Sequence, residues 1–127
     1  MLKDRDSSAI VAVTDIGEAK SFYQDRMGLT LVSEDAEAGV LSFRTGRTRL
    51  TVYRSDYAGT NKANAVTWEM KGDLVETVQA LRDQGVAFEH YDLPGMTYSD
   101  GVHEAGPAKL AWFKDPSGNI LHLVEGM

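Results

Sequence analysis

The 127-residue sequence contains no cysteine, which excludes disulfide scaffolds, thiolate metal sites and cysteine nucleophiles. No apolar run approaches the roughly 18 residues of a membrane span, so we expect no membrane partner. The charged residues 1–8 lack the apolar stretch of an export signal, so we expect a cytoplasmic protein. Basic residues are also scarce, with 13 Lys and Arg against 19 Asp and Glu. Nucleic acid is therefore not an expected partner, because binding it requires a basic surface.

Two segments of the chain repeat one helical pattern. Asp15 and Asp73 are predicted helix N-caps, and each is followed three residues later by a glutamate, as in a capping box. Apolar residues then recur at helical spacing until a glycine, Gly28 or Gly85, ends the segment. The repeat predicts two amphipathic helices in equivalent positions.

Short runs rich in apolar and β-branched residues surround each predicted helix. They lie at residues 9–14, 30–33, 40–44 and 50–54 in the first half, and at 65–70, 86–90, 110–114 and 120–124 in the second. The order β-α-β-β-β thus occurs twice. We predict an α+β fold in which residues 1–127 form a single domain. Its two modules are expected at about 8–56 and 65–125, with a linker at 57–64.

Several short motifs within this pattern carry a family resemblance. The motifs are Val13-Thr14-Asp15-Ile16, Phe22-Tyr23, Met27-Gly28-Leu29, Gly85-Val86-Ala87-Phe88 and Trp112-Phe113-Lys114-Asp115-Pro116-Ser117-Gly118-Asn119-Ile120. Together with the tandem order, they resemble the vicinal oxygen chelate superfamily, which includes glyoxalase I, bleomycin-resistance proteins, fosfomycin-modifying enzymes and extradiol dioxygenases. The final block is similar to the F-x-D-P-x-G-N signature of that superfamily. Members perform unrelated tasks, so the motifs are specific for the fold and not for the function.

The resemblance implies curved sheets around a central cavity, with helices on the outer faces. In metal-using relatives one ligand comes from each of four strands, and the corresponding positions here are Ser8, Thr51, Val66 and His122. Only His122 is a good ligand for a divalent cation, which needs about three or four nitrogen or oxygen donors. We therefore expect the metal site of the family to be lost and no cofactor to be bound.

Strand alternation extends the cavity lining from these positions. It places Trp68 beside Val66, Tyr53 beside Thr51, and Trp112 on the strand before His122. Aromatic walls with few polar groups suit a flat, partly apolar organic ligand, or a cation held over a ring. The alternative is that the tryptophans are ordinary core residues. A lone histidine such as His122 is likewise more often a hydrogen-bonded pocket residue than a metal ligand.

Three further patterns leave alternatives open. The stretch 91–108 is predicted to be a long irregular loop, from which Tyr98 and His103-Glu104 can close over the cavity as a lid. His90-Tyr91-Asp92 has the H-x-D spacing of an iron site, against the alternative of a solvated loop. A cluster of four basic residues on the third and fourth predicted strands has three interpretations: a solvated face, a dimer contact or a partner for an acidic ligand. The residues are Arg44, Arg47, Arg49 and Arg54.

These observations favour a metal-free binding protein that holds a small organic molecule. A metal-dependent glyoxalase-like lyase, isomerase or dioxygenase is the alternative, and it requires a rearranged metal site that recruits residues such as His103 or Glu104. A third hypothesis is a metal-free enzyme in which His122 acts as acid or base. The sequence leaves open whether there is turnover. The resemblance implies a homodimer, with the modules paired either within one chain or across two.

Overall fold

The computed structural model describes all 127 residues and contains two β-sheets. The N-terminal sheet has the spatial order β1-β4-β3-β2, and the C-terminal sheet has the order β5-β9-β8-β7-β6. The strands of the N-terminal sheet are β1 (Ala9–Val13), β2 (Thr30–Asp35), β3 (Val40–Thr45) and β4 (Thr48–Arg54). Those of the C-terminal sheet are β5 (Asn64–Glu69), β6 (Thr97–Ser99), β7 (Val102–Ala105), β8 (Ala108–Lys114) and β9 (Ile120–Glu125).

The helices lie between the first and second strand of each half. Helix α1 (Ile16–Lys20) continues as a π-helical segment (Ser21–Arg26), and α2 spans Leu74–Asp83. The strand before each helix pairs in parallel with the last strand of the same half, β1 with β4 and β5 with β9. The predicted α+β fold is therefore confirmed. None of the helices has the length and apolar composition that a membrane span requires.

The two helices begin differently, although the sequence predicts the same cap for both. The Asp15 side chain accepts a hydrogen bond from the Glu18 amide at 2.9 Å, as predicted. Asp73 is the N-cap residue of α2 as predicted, but its side chain does not make the capping hydrogen bond that the capping-box pattern predicts. Instead Glu125 of β9 accepts from the Leu74 amide at 3.0 Å. A backbone amide in the first turn of α2, which has no partner within the helix, thus donates to a carboxylate at the end of β9.

The C-terminal half departs from the predicted strands in one region. Residues 86–90 form no strand and contribute only a bridge between Phe88 and Phe113, so this prediction is wrong. The stretch 91–108 is not irregular either, since it contains the β6–β7 hairpin. The turn is Asp100-Gly101, with positive φ angles of 49° and 91°, as a two-residue hairpin turn requires. Strand β7 of this hairpin pairs with the outer edge of β8, so only a short part of that edge remains for residues 86–90.

Each sheet has a core face and an open face. Alternate residues of the central strands are fully buried, and the residues between them are half-buried or exposed. The core faces are formed by Val11, Val13, Leu41, Phe43, Leu50, Val52, Ala111, Phe113, Leu121 and Leu123, and all belong to one apolar cluster that includes both helices. Burial of this cluster is the main contribution to the stability of the fold.

One helical segment covers the core faces of both sheets. The Tyr23 ring lies 5.7 Å from Phe43 in the N-terminal sheet, and the neighbouring Phe22 ring lies 6.4 Å from Phe113 in the C-terminal sheet. The edge strands β1 and β5 of the two sheets are also in contact, so the sheets meet both through this segment and at these edges.

A buried polar network joins this segment to the turn after β8. Asp115, which is 4% exposed, accepts the Tyr23 hydroxyl at 2.7 Å. It also accepts the backbone amides of Ser117 and Asn119 and the Asn119 side-chain amide, at 2.8–2.9 Å. Burial, and then the nearby carboxylate of Asp115, raises the pKa of Tyr23 well above its usual range, so the phenol keeps the proton that it donates. The signature turn thus fixes the C-terminal sheet against the N-terminal half.

Candidate functional site

The register of β5 decides which side chains share a face with His122. Thr67 is the direct partner of His122, and Trp68 is the partner of the buried Leu123. A bulge between Asn64 and Val66 shifts the strand by one residue. The prediction that Val66 and Trp68 face the cavity is therefore wrong, because a shift of one residue exchanges the two faces of a strand.

Trp68 instead packs against the core. Its Nε1 donates a hydrogen bond to the Thr45 hydroxyl at 2.8 Å, at the end of the β3–β4 hairpin. This contact joins the two sheets on their core side. Trp68 is therefore a structural residue, in line with the alternative left open by the sequence.

His122 lies on the open face of the C-terminal sheet with one nitrogen free. Its Nδ1 shares a hydrogen bond of 3.0 Å with the Thr67 hydroxyl. Its Nε2 is buried and has no hydrogen-bond partner. The Trp112 ring stacks on the imidazole with centroids 4.9 Å apart and an interplanar angle of 19°. Since Thr67 occupies Nδ1, Nε2 is the ring nitrogen that has no partner within the chain.

Trp112 is itself held in place on this face. Its Nε1 donates to the Asn64 side chain at 3.1 Å, and Tyr91 meets its ring edge-on at 5.3 Å. The prediction that Trp112 and His122 lie together is confirmed. A fixed indole beside an imidazole provides a preformed aromatic surface for a flat molecule.

A series of aromatic rings continues from Trp112 across the C-terminal sheet. His103 contacts Trp112 edge-on at 5.0 Å, Tyr98 contacts His103 at 4.9 Å, and His90 stacks on Tyr98 at 3.8 Å. All three histidines of the chain therefore lie on this series. This series was not predicted from the sequence, although the Asp100-Gly101 dipeptide is a strong hairpin signal that pairs Tyr98 with His103.

His103 is a fixed part of the sheet. It is 1% exposed, and its Nε2 accepts the Tyr91 amide at 3.0 Å. Its Nδ1 then carries the proton and faces the Leu110 carbonyl at 3.4 Å. The expectation of a lid built from Tyr98 and His103-Glu104 is wrong, because β6 and β7 extend the sheet.

The H-x-D pattern lies at the far end of the ring series and is exposed to solvent. His90 Nε2 is 3.9 Å from an Asp92 carboxylate oxygen, and the Asp92 side chain is fully exposed. No third ligand accompanies the pair. This matches the alternative of a solvated segment.

The remaining predicted site residues belong to the N-terminal sheet, on the other open face. Thr51 pairs with Ile10, and Tyr53 pairs with Ala12. Tyr53 is 36% exposed, and Ser8 is exposed just before β1. One pocket joins Ile10, Ala12 and Tyr53 of the N-terminal open face to Asn64 of β5, whose side chain accepts the hydrogen bond of Trp112. This pocket does not include Trp112 or His122 themselves.

The residues at the inherited ligand positions do not fit a divalent cation. Val66 has no donor atom and lies toward the core, Ser8 and Thr51 each offer only a hydroxyl, and His122 offers a single imidazole nitrogen. No group of three or more His, Asp or Glu side chains in the chain lies close enough to hold a metal ion. A stable site needs about three or four such donors.

His122 should titrate below the usual range of a histidine. Burial lowers its pKa below the ordinary value of 6.5, because the charged imidazolium loses solvation there. The fold thus favours the neutral ring, and this contribution to stability is present above about pH 6.5 and is lost as the pH falls through the pKa of the folded state. We expect the His122 Cε1–H resonance to titrate with a midpoint below 6.5. A midpoint at or above 6.5 would contradict this account.

Comparison with known proteins identifies the family of this chain. The family model of the Glyoxalase/Bleomycin resistance protein/Dioxygenase superfamily matches residues 7–123. The chain belongs to this superfamily, which confirms the resemblance seen in the sequence. No curated protein matches the sequence significantly.

Similar solved structures support the fold. A glyoxalase/bleomycin resistance protein/dioxygenase from Alicyclobacillus acidocaldarius has a TM-score of 0.73 at 16% identity, covering 96% of this chain and 91% of its own. A fosfomycin resistance protein from Listeria monocytogenes has a TM-score of 0.73 at 13% identity, covering 97% and 93%. Lactoylglutathione lyase from Agrobacterium tumefaciens has a TM-score of 0.69 at 18% identity, covering 96% and 93%. At these identities the likeness concerns the fold alone.

Proposed function

We propose that this protein binds a small organic molecule without a metal ion, as a binding protein of the glyoxalase/bleomycin-resistance type. The ligand lies on the open face of the C-terminal sheet, over the Trp112–His122 pair. The observation that carries the proposal is the combination of this stacked pair with the unpartnered Nε2 of His122. A flat ligand with one hydrogen-bonding group can cover the rings, and it satisfies the buried Nε2 once the side chains over that atom move aside.

Metal-dependent chemistry is less well supported by the residues present. A lyase, isomerase or dioxygenase of the metal-using type requires several donors around one ion, whereas the inherited positions supply one imidazole. The names of the similar structures include both a lyase and a resistance protein, so the fold does not decide between these activities.

A metal-free enzyme is the second candidate, and the state of His122 favours it. The Thr67 hydroxyl orients the ring, and burial keeps the imidazole neutral near pH 7, which leaves Nε2 available for proton transfer. If His122 is the base, His122→Ala should remove turnover and leave ligand affinity nearly unchanged. If His122 only binds, the same variant should weaken affinity.

We further propose that a second copy of the chain completes the binding cleft. The side chains of each open face are half-buried or exposed and include apolar ones, such as Ile10, which is 62% exposed. Because nothing in the chain covers these apolar side chains, we expect the dimer to place the N-terminal sheet of one copy over the C-terminal sheet of the other. We expect light scattering to give twice the chain mass of 13.9 kDa at micromolar concentration. A monomer at that concentration would contradict this arrangement.

A titration with a neutral flat probe tests the proposed function. We would add 1-naphthamide to ¹⁵N-labelled protein and follow the two indole Nε1–H resonances. The Trp112 resonance should shift with saturation, both with and without a chelator. The Trp68 resonance is an internal control and should stay in place, because that indole is bonded to Thr45 on the core side. Equal shifts, or none, would count against the proposal.

A further inference from the structure

Two arginines stand opposite each other on the open face of the N-terminal sheet. Arg44 of β3 and Arg49 of β4 are direct partners in the antiparallel ladder. Their chain neighbours Phe43 and Leu50 are fully buried, so strand alternation places both arginines on the open face. Directly opposed residues have Cβ atoms about 5 Å apart, so the two guanidinium groups can reach one small target.

No carboxylate of the chain neutralises this pair. Neither Arg44 nor Arg49 takes part in an ion pair, although Asp and Glu outnumber Lys and Arg by 19 to 13. By contrast, Arg54 of the same strand is paired with Asp56 at 3.0 Å. Like charges directly opposed across a sheet are destabilising. The fold therefore keeps two cations together without an internal partner.

The next cross-strand pair on the same face adds hydroxyl donors. Ser42 and Thr51 are direct partners, and they lie two residues along β3 and β4 from Arg44 and Arg49. Neither hydroxyl makes a hydrogen bond within the chain, and Ser42 and Thr51 are both half-buried. Two guanidinium groups beside two hydroxyls provide the donors that an oxyanion requires.

We propose that Arg44 and Arg49 bind the anionic group of the ligand, a carboxylate or phosphonate, with Ser42 and Thr51 beside them. This inference rests on the proposed function and narrows the ligand to a flat organic acid. It also disfavours the cationic ligand that the aromatic residues and the net charge of −6 had allowed. The acid group would lie on the N-terminal sheet, and the flat part would lie on the Trp112–His122 pair of the second copy.

The test compares 1-naphthoate with the neutral 1-naphthamide on the same ¹⁵N-labelled protein. We expect naphthoate to shift the Arg44 and Arg49 Nε–H resonances together with that of Trp112, and naphthamide to shift Trp112 alone. The double variant Arg44→Gln with Arg49→Gln should weaken naphthoate binding at least about tenfold and leave naphthamide binding unchanged. The control variant, Arg26→Gln with Lys62→Gln, changes the net charge equally and removes no ion pair. It should leave both affinities unchanged.

Each other outcome has a defined meaning. Unchanged naphthoate binding in the arginine double variant would overturn the inference, and a persisting Trp112 shift would still support the proposed function. Equal weakening of both probes, or loss of the dimer, would mean that the arginines serve assembly, which also overturns the inference. If neither probe shifts Trp112, the proposed function fails. Titration with inorganic phosphate then tests the arginines separately, and the anion site is overturned if their resonances do not move.

Discussion

Replacing Asp115 with alanine is expected to lower the free energy of unfolding by about 3–5 kcal/mol, the cost of breaking a buried, fully hydrogen-bonded charged network. The carboxylate is 4% exposed and accepts four hydrogen bonds. Without it, the Tyr23 hydroxyl and the turn amides lose their acceptor in the interior. Chemical denaturation of purified protein, followed by circular dichroism, measures the effect.

Two further variants make this measurement specific. Tyr23→Phe removes one of the four donors and should cost only about 1–2 kcal/mol. Asp92→Ala removes a fully exposed carboxylate and should stay within about 0.5 kcal/mol of the parent protein. If Asp115→Ala is as stable as Asp92→Ala, the turn does not hold the two halves together as described. If Asp115→Ala fails to fold, Tyr23→Phe still provides the graded test.

Replacing Trp112 with alanine is expected to weaken 1-naphthamide binding at least about tenfold, since it removes the aromatic surface that the ligand covers. Two further effects reinforce the loss. The His122 ring loses its stacking partner, and the Asn64 side chain loses the hydrogen bond that fixes the indole. Intrinsic fluorescence is unsuitable for this variant, so calorimetry or the His122 ring resonances should report the affinity.

Trp68→Phe is the matched control for Trp112→Ala. Trp68 also carries an indole on the C-terminal sheet, but it lies toward the core and is bonded to Thr45. The substitution should lower stability and leave the affinity of the folded protein for 1-naphthamide unchanged. If Trp68→Phe weakens binding as much as Trp112→Ala, the ligand does not occupy the open face.

The order of helices and strands could be predicted from the sequence because the residues that start and end each helix lie close together in the chain. Asp15 caps α1 through its own side chain, and Gly28 and Gly85 end the two helical segments with positive φ angles of 76° and 88°. These features depend on residues a few positions apart. The cap of α2 could not be predicted in the same way, because its acceptor is Glu125, a residue distant in sequence.

The candidate site was predicted in part, and the errors come from the register of one strand. The β8–β9 ladder follows simple alternation, which places Trp112 and His122 together as predicted. In β5 a bulge breaks the alternation, so the Thr67 partner of His122 was missed and Trp68 was assigned to the wrong face. A bulge cannot be recognised reliably from a single sequence. An error of one residue in the register then assigns every following side chain of the strand to the wrong face.

The ring series of the C-terminal sheet was missed for a different reason. The frequent glycine and proline residues of 91–108 predict one long loop. Within this stretch, however, Asp100 and Gly101 form the turn of a hairpin. His103 is then buried beside Trp112, which no local pattern around His103 indicates.

The central claim is that this chain binds an organic ligand without a metal ion. Elemental analysis for Mn, Fe, Co, Ni, Cu and Zn of untagged protein, purified without chelator, tests it most directly. We predict metal well below one atom per chain, with no stoichiometric uptake when each metal is added back. Near-stoichiometric metal would contradict the account, because one imidazole and the hydroxyls of Ser8 and Thr51 are too weak a donor set to hold a divalent ion.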